Sequence, residues 1–222
     1  MSVSKNIRKR LKEAGIPFKA NDNIADYISD VELSMLQDEV ERRVADLLDA
    51  LVIDQENDHN TQETAHRVAK MYLREVFHGR YTKAPAKTLF PNVKQVNEVF
   101  TVGPIAVRSA CSHHMVPILG QAWVGVIPTE KLIGLSKFNR LVDWIMSRPQ
   151  IQEEAAAQLA DELEASFKPQ GLAIVVRAKH LCCQWRGVRD QSEMVSSVMR
   201  GVFMDDAAAR NEFFAIIRSQ GF

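Results

Sequence analysis

Two short stretches contain every cysteine of the chain and three of its six histidines. In RSACSHHMVPILG, residues 108–120, Cys111 stands just ahead of His113 and His114. In KHLCCQWRGVRD, residues 179–190, His180 stands beside Cys182 and Cys183. A Cys-x-x-His spacing lets a thiolate and an imidazole converge where the chain turns, which suits tetrahedral zinc. In a strand that runs on, Cys111 and His113 share a face and His114 points away. Spacing therefore leaves both His113 and His114 open as ligands. In the second stretch an extended chain puts His180 and Cys182 on one face, and Leu181 and Cys183 on the other. Cys111, one histidine and Cys182 supply three ligands and leave a fourth position, the pattern of catalytic rather than structural zinc. The plain alternative is packing, because cysteine is among the most buried residue types. That reading suits Cys183; the histidines beside Cys111 and Cys182 weigh against it there.

Basic residues recur near these clusters. GLSKFNRLVDW places Ser136, Lys137 and Arg140 at an expected helix start, where free N–H groups and the positive dipole end favour an anion such as phosphate. Arg186 and Arg189 follow the second cluster, and Arg67 and Lys70 share one face of an expected helix further upstream. Each pair alone is an ordinary solvated face; several around one metal candidate suit a polyphosphate. RPQIQEEAAAQL sets Gln152 and Glu153 in a helix's opening turn, where acids commonly do no more than complement the dipole. The functional reading has Glu153 accept from a purine's N1–H and exocyclic amine, a donor pair that guanine has and adenine lacks.

The elements that must position these groups follow from periodicity. Residues 1–30 are polar with several breakers; a helix over 4–14 fits, but tail or loop is the expectation. From Ser34, Leu36, Val40, Val44, Leu47, Leu48 and Leu51 recur at helical spacing. A second helix is expected to start on an Asn60/Glu63 capping box and to end at Gly79, with 80–95 as a connection. The period then drops towards two in EVFTVGPIAVRSA and QAWVGVIP, which predicts strands. Helices over SKFNRLVDWIMS and 150–167, strands over GLAIVVRAKHLC and SSVMRGVF, and a helix over DDAAARNEFFAIIRS complete an α+β order. The expected organisation is a tail and helical region over 1–95 and a β-rich unit over 96–222.

The chain has 222 residues, no net charge and 46% hydrophobic residues, values that give no support for nucleic acid or an anionic membrane as partner. Three cysteines, two of them adjacent, make a disulfide framework improbable. With neither a signal-type apolar segment nor a membrane-length one, the expectation is a cytoplasmic protein.

These motifs together resemble GTP cyclohydrolase I. TAHRVAKMY, CSHH, IGLSKFNR, RPQIQE and HLCCQWRGVRD stand in that family's order, and the resemblance runs from about residue 34 to the end. It implies a tunnelling fold, an antiparallel sheet with two helices on one face, preceded by an N-terminal helical extension. It implies Zn2+ on Cys111, His114 and Cys182, and proton transfer by His113 and His180. Gln152 and Glu153 fall where the family anchors guanine. Ser136, Lys137, Arg140, Arg186, Arg67 and Lys70 fall where it holds triphosphate or ribose. The implied reaction hydrolyses GTP at C8, yielding formate and 7,8-dihydroneopterin triphosphate for pterin and folate synthesis. The implied particle is a decamer of two five-membered rings. One departure stands out: Ser112 lies where the family usually has glutamate. A non-catalytic GTP- or pterin-binding relative, or a related tunnelling-fold enzyme acting on another purine or pterin, are the alternative classes. The Cys/His/Cys set argues against the second.

Overall fold

The computed structural model describes residues 2–222, which divide into two compact units at Lys83/Ala84. In the N-terminal unit, α1 (Val3–Glu13) replaces the expected tail or loop. Val3, Ile7 and Leu11 recur every four residues, and all are buried against Ile24 and its neighbours. Helix α2 (Asp30–Ala50) starts on a true capping box, with Glu32 N–H donating to Ser29 Oγ and Ser29 N–H donating to Glu32 Oε2. The box expected at Asn60 and Glu63 does not form. Asn60 instead bonds Asp58 Oδ1 from both its backbone and side-chain nitrogens, and α3 (Thr64–Lys70) begins on Glu63 with no side-chain cap. Local Asp58 chemistry outcompetes the helix end for the Asn60 side chain. The chain continues as a π-helical turn, Met71–Val76, into α4 (His78–Tyr81), so Gly79 lies inside a helix rather than ending one.

In the second unit the segment expected as a connection carries β1 (Leu89–Pro91). After it come β2 (Phe100–Cys111), β3 (Pro117–Ile127) and β4 (Lys131–Ile133), which pairs with β1. Then follow α5 (Leu135–Met146), β5 (Pro149–Gln150), α6 (Gln152–Phe167), β6 (Gly171–His180), α7 (Leu181–Gln184), β7 (Glu193–Gly201), α8 (Val202–Asp205) and α9 (Ala207–Ser219). The main sheet has the order β5-β2-β3-β6-β7, antiparallel except where β5 joins β2.

Alternation along the strands explains the layers. Ala122, Val124 and Val126 of β3, with Leu172, Ile174 and Val176 of β6, face α5 and α6. Trp123 and Ile127, with Ala173 and Val175, face the opposite way onto Phe203, Phe213 and Ile217 of α8 and α9. The central strands are therefore buried on both faces, which accounts for their nearly continuous apolar runs. An antiparallel sheet with two helices on one face is the tunnelling-fold arrangement, and α9 adds a cover on the other side.

Glu39 of α2 is buried and ties α1 down, accepting from Ser4 N–H at 3.0 Å and Ser4 Oγ at 2.7 Å. Burial pushes its carboxyl pKa up, but the Ser4 amide and hydroxyl outweigh this and hold it below the usual value. A depressed folded pKa means stability that is complete above the unfolded value and lost as pH falls through the folded one. Amide exchange in α1 should therefore rise on acidification below about pH 4.5. Glu39→Ala should raise it about tenfold at neutral pH, because charge-assisted bonds are lost. Hydrogen-exchange mass spectrometry of residues 3–13 reads both effects.

Candidate functional site

Cys111 is the last residue of β2 and is 4% exposed. A tight turn follows, closed by Met115 N–H on Cys111 O and Cys111 N–H on Val116 O, with Met115 at φ +55°. This turn brings His114 back beside Cys111. His113, exposed, lies next to it with ring centroids 6.4 Å apart. Gln150 braces the turn: its backbone carbonyl accepts from Ser112 N–H, and its buried side-chain nitrogen bonds Ile145 O and Met146 O.

The second cluster is not extended as expected. Strand β6 stops at His180, and Leu181–Gln184 make one helical turn. His180 and Cys182 are thus presented by a strand end and a helical turn, not by one strand face. Cys183, expected as packing, is exposed with its sulfur 4.0 Å from that of Cys182. All three cysteines are free.

The strand register makes the site. Ile118 of β3 pairs with His180, and Pro117 pairs with Ala110 of β2, so both clusters reach the same end of the sheet. There the ligand atoms of Cys111, His114 and Cys182 lie within 4.8 Å of one another. Bonds of about 2.0–2.3 Å from each could meet at one ion. Arg186 Nη1 donates to His114 Nε2 at 3.2 Å. A guanidinium only donates, so Nε2 accepts in this contact and its lone pair is taken up by Arg186. The Cys182 thiol is pushed up to about 12 by burial and by the neighbouring Cys111 and Cys183 thiols. A thiol crowded in this way resists ionising until a cation compensates it. Two sulfurs and one imidazole suit a borderline-soft ion such as zinc better than magnesium or calcium.

Gln152 and Glu153 open α6 at this same end. Gln152 is buried and its carboxamide oxygen is 2.9 Å from His180 Nε2. Burial lowers the His180 pKa, while the exposed Glu153 carboxylate beside it pulls the other way. Ser136, Lys137 and Arg140 lie elsewhere. Ser136 and Arg140 line a cavity of about 560 Å³ with Thr101–Ile105, at the start of β2. Six residues of strand separate Ile105 from Cys111, a distance of about 20 Å. Arg67 and Lys70 lie exposed on α3 in the N-terminal unit. The structure thus brings Cys111, His113, His114, Gln152, Glu153, His180, Cys182 and Arg186 to one end of one sheet. Within the same unit it leaves Ser136, Lys137 and Arg140 apart from that end. Sequence reasoning missed Gln150 and Ser196, which act on Ser112 and Gln152, 38 and 44 residues away, and leave no local pattern.

Residues 40–218 match the GTP cyclohydrolase I family. The chain belongs to that family. It is 38% identical over 184 residues to GTP cyclohydrolase 1 of Aliivibrio salmonicida, covering 82% of this chain and 84% of that protein. It is 34% identical over 219 residues to GTP cyclohydrolase 1 of Vibrio campbellii, covering 97% of both. Among solved structures, the apo form of the archaeosine synthase QueF-Like aligns with 54% of this chain at 17% identity and a TM-score of 0.37. That likeness is too distant to bear on the fold. Among the described residues no helix is long and apolar enough to cross a membrane.

This end of the sheet depends on close backbone approach between β3 and β6. A Cβ added at Gly120 would lie 2.1 Å from Arg177 O and 2.5 Å from Ala178 Cβ, atoms within three residues of His180. Gly120→Ala should cost about 1–3 kcal/mol through overpacking that the backbone cannot relieve. Thermal unfolding checks this, with a lowered midpoint expected relative to the native protein.

Proposed function

We propose that the chain is a zinc-dependent GTP cyclohydrolase I, converting GTP and water to formate and 7,8-dihydroneopterin triphosphate. The observation that carries this reading is the convergence of Cys111, His114 and Cys182 at the sheet end where Glu153 and His180 also lie. Cys111, His114 and Cys182 would hold Zn2+, which when bound supplies Lewis-acid activation of water at neutral pH. Glu153 accepts from the N1–H and exocyclic amine of guanine, orienting the imidazole half of the purine towards the cysteines. His113 and His180 exchange protons with the ring nitrogens that are released as C8 leaves in formate. Arg186, whose guanidinium already reaches His114, adds positive charge beside the reacting ring. The exposed position of His113 and the half-buried one of His180 suit a pair that exchanges protons with solvent and substrate in turn.

Ser136, Lys137 and Arg140 hold triphosphate or ribose in this reading, as do Arg67 and Lys70. About 20 Å of strand separates the first group from Cys111, beyond side-chain reach, so a second copy of the chain supplies them. Ring assembly fits the sheet. Among the described residues strand β7 pairs only with β6, and β5 covers only Ala110 and Cys111 of β2, which leaves two long edges open. Joining edge to edge into five-membered rings, two of them stacked as a decamer, removes those edges. The setting we propose is the cytoplasm and the product's destination pterin or folate synthesis, with neither nucleic acid nor membrane as partner.

Purified protein given GTP should release formate and leave a pterin that fluoresces after oxidation. Chelation should abolish both signals and added zinc should restore them. Full turnover after measured loss of the metal overturns the zinc reading, and no formate with zinc bound overturns the enzyme reading.

Mixed oligomers test the shared site. Cys111→Ala and Arg140→Ala subunits, each nearly inactive alone, should recover about a quarter of wild-type activity when randomly co-assembled, since half of each contribution is intact. Cys111→Ala with Arg186→Ala should recover nothing, because those residues serve one site from one chain.

A further inference from the structure

Gln152 opens α6 as an internal side chain, 3% exposed. Its amide nitrogen donates to the carbonyl oxygens of Val176 at 3.0 Å and Met194 at 3.3 Å, and lies 2.9 Å from the Ser196 hydroxyl. A backbone carbonyl only accepts, so these contacts fix which end of the carboxamide is nitrogen. The oxygen, on the other side, meets His180 Nε2 at 2.9 Å. A carboxamide oxygen also only accepts, so Nε2 carries a hydrogen in this contact. In the neutral ring Nδ1 is then the one nitrogen with a lone pair.

We infer that Gln152 is a positioning residue, which locks His180 in the Nε2–H tautomer and presents Nδ1 as the atom that takes and returns protons during GTP opening. The lock is anchored in the sheet itself, since Val176 belongs to β6 while Met194 and Ser196 belong to the neighbouring β7. It acts where the ring most needs support, because His180 is the last residue of β6 before the backbone turns into α7. The same contacts remove the Gln152 side chain from guanine recognition. Its hydrogens are directed at the sheet and its oxygen at His180, which leaves Glu153 to read the base. A base whose tautomer is set by a third group follows the general logic of nucleophile, base and orienting residue.

The inference rests on the proton-transfer role proposed for His180, and the experiment separates the two. Zinc-loaded, full-length protein with 15N-labelled histidine is examined by long-range 1H–15N correlation, with His180→Gln identifying the resonance. The wild type should show His180 protonated at Nε2 with an unprotonated Nδ1, and Gln152→Met should show averaged tautomers. In steady-state assays Gln152→Met should lower kcat about 10–100-fold, the usual effect of losing an orienting partner. The KM for GTP should move by less than about threefold, because substrate binding is untouched. Ser196→Ala, which removes one anchor but keeps the oxygen facing His180, should give a smaller loss of kcat in the same direction.

An Nδ1–H tautomer in the wild type overturns the inference, and this needs no Gln152 variant to fold. A raised KM with unchanged kcat, or a lost preference for GTP over inosine triphosphate, also overturns it and makes Gln152 a reader of guanine. Wild-type turnover in His180→Gln overturns it through its premise instead, with the tautomer still readable in the spectra.

Discussion

Ten consecutive residue pairs hold β3 against β6, from Ile118 opposite His180 to Ile127 opposite Gly171. On its other side β3 is held by β2, which ends with Ala110 opposite Pro117. These two ladders meet at one end of the sheet and deliver Cys111 and His180 there, although 68 residues of chain lie between them. A slip of one residue in either ladder would send every side chain on that strand to the other face. The bare backbone of Gly120, pressed against Arg177 and Ala178, is part of what keeps the register single-valued.

Burial on both faces makes this ladder rigid. Phe138, Leu141, Val142 and Ile145 of α5, with Ala155, Ala156, Leu159 and Leu163 of α6, close one face, and Phe213 and Ile217 of α9 close the other. Interiors packed at this density transmit small displacements instead of absorbing them. The polar groups at the site end are therefore held by contacts made deep in the sheet. Gln150 grips the end of α5 and the turn that carries His113 and His114, and Gln152 grips β6, β7 and His180. Two glutamines, one on each side of Ile151, connect the core to the chemistry.

Electrostatics then divides the residues by task. Cys182 sits where burial and the neighbouring Cys111 and Cys183 thiols oppose its ionisation, so that a divalent cation is the natural counter-charge. The cationic groups at Ser136–Arg140 stand at the opposite end of β2, beside a cavity of their own. About 20 Å of strand separates them from Cys111 at the far end of β2.

Period, turn residues and local clusters in the amino-acid sequence determined much of this. The apolar runs of β2, β3 and β6, the helices α5, α6 and α9, and the Cys/His clusters are all written in neighbours a few residues apart, and each is found where those neighbours place it except at the end of β6, where the expected strand turns helical after His180. Helix α1 was missed as a certainty because its three buried residues act only once Ile24 lies against them. The capping box was misassigned because Asp58, not the helix, holds Asn60. Tertiary structure alone decided that β6 ends at His180, that His114 turns back to Cys111, and that Gln152 faces His180 rather than outward. The reason is range: local periodicity reports which face a side chain takes on its own element, whereas a ligand set or a tautomer depends on atoms brought together from strands and helices far apart in the chain.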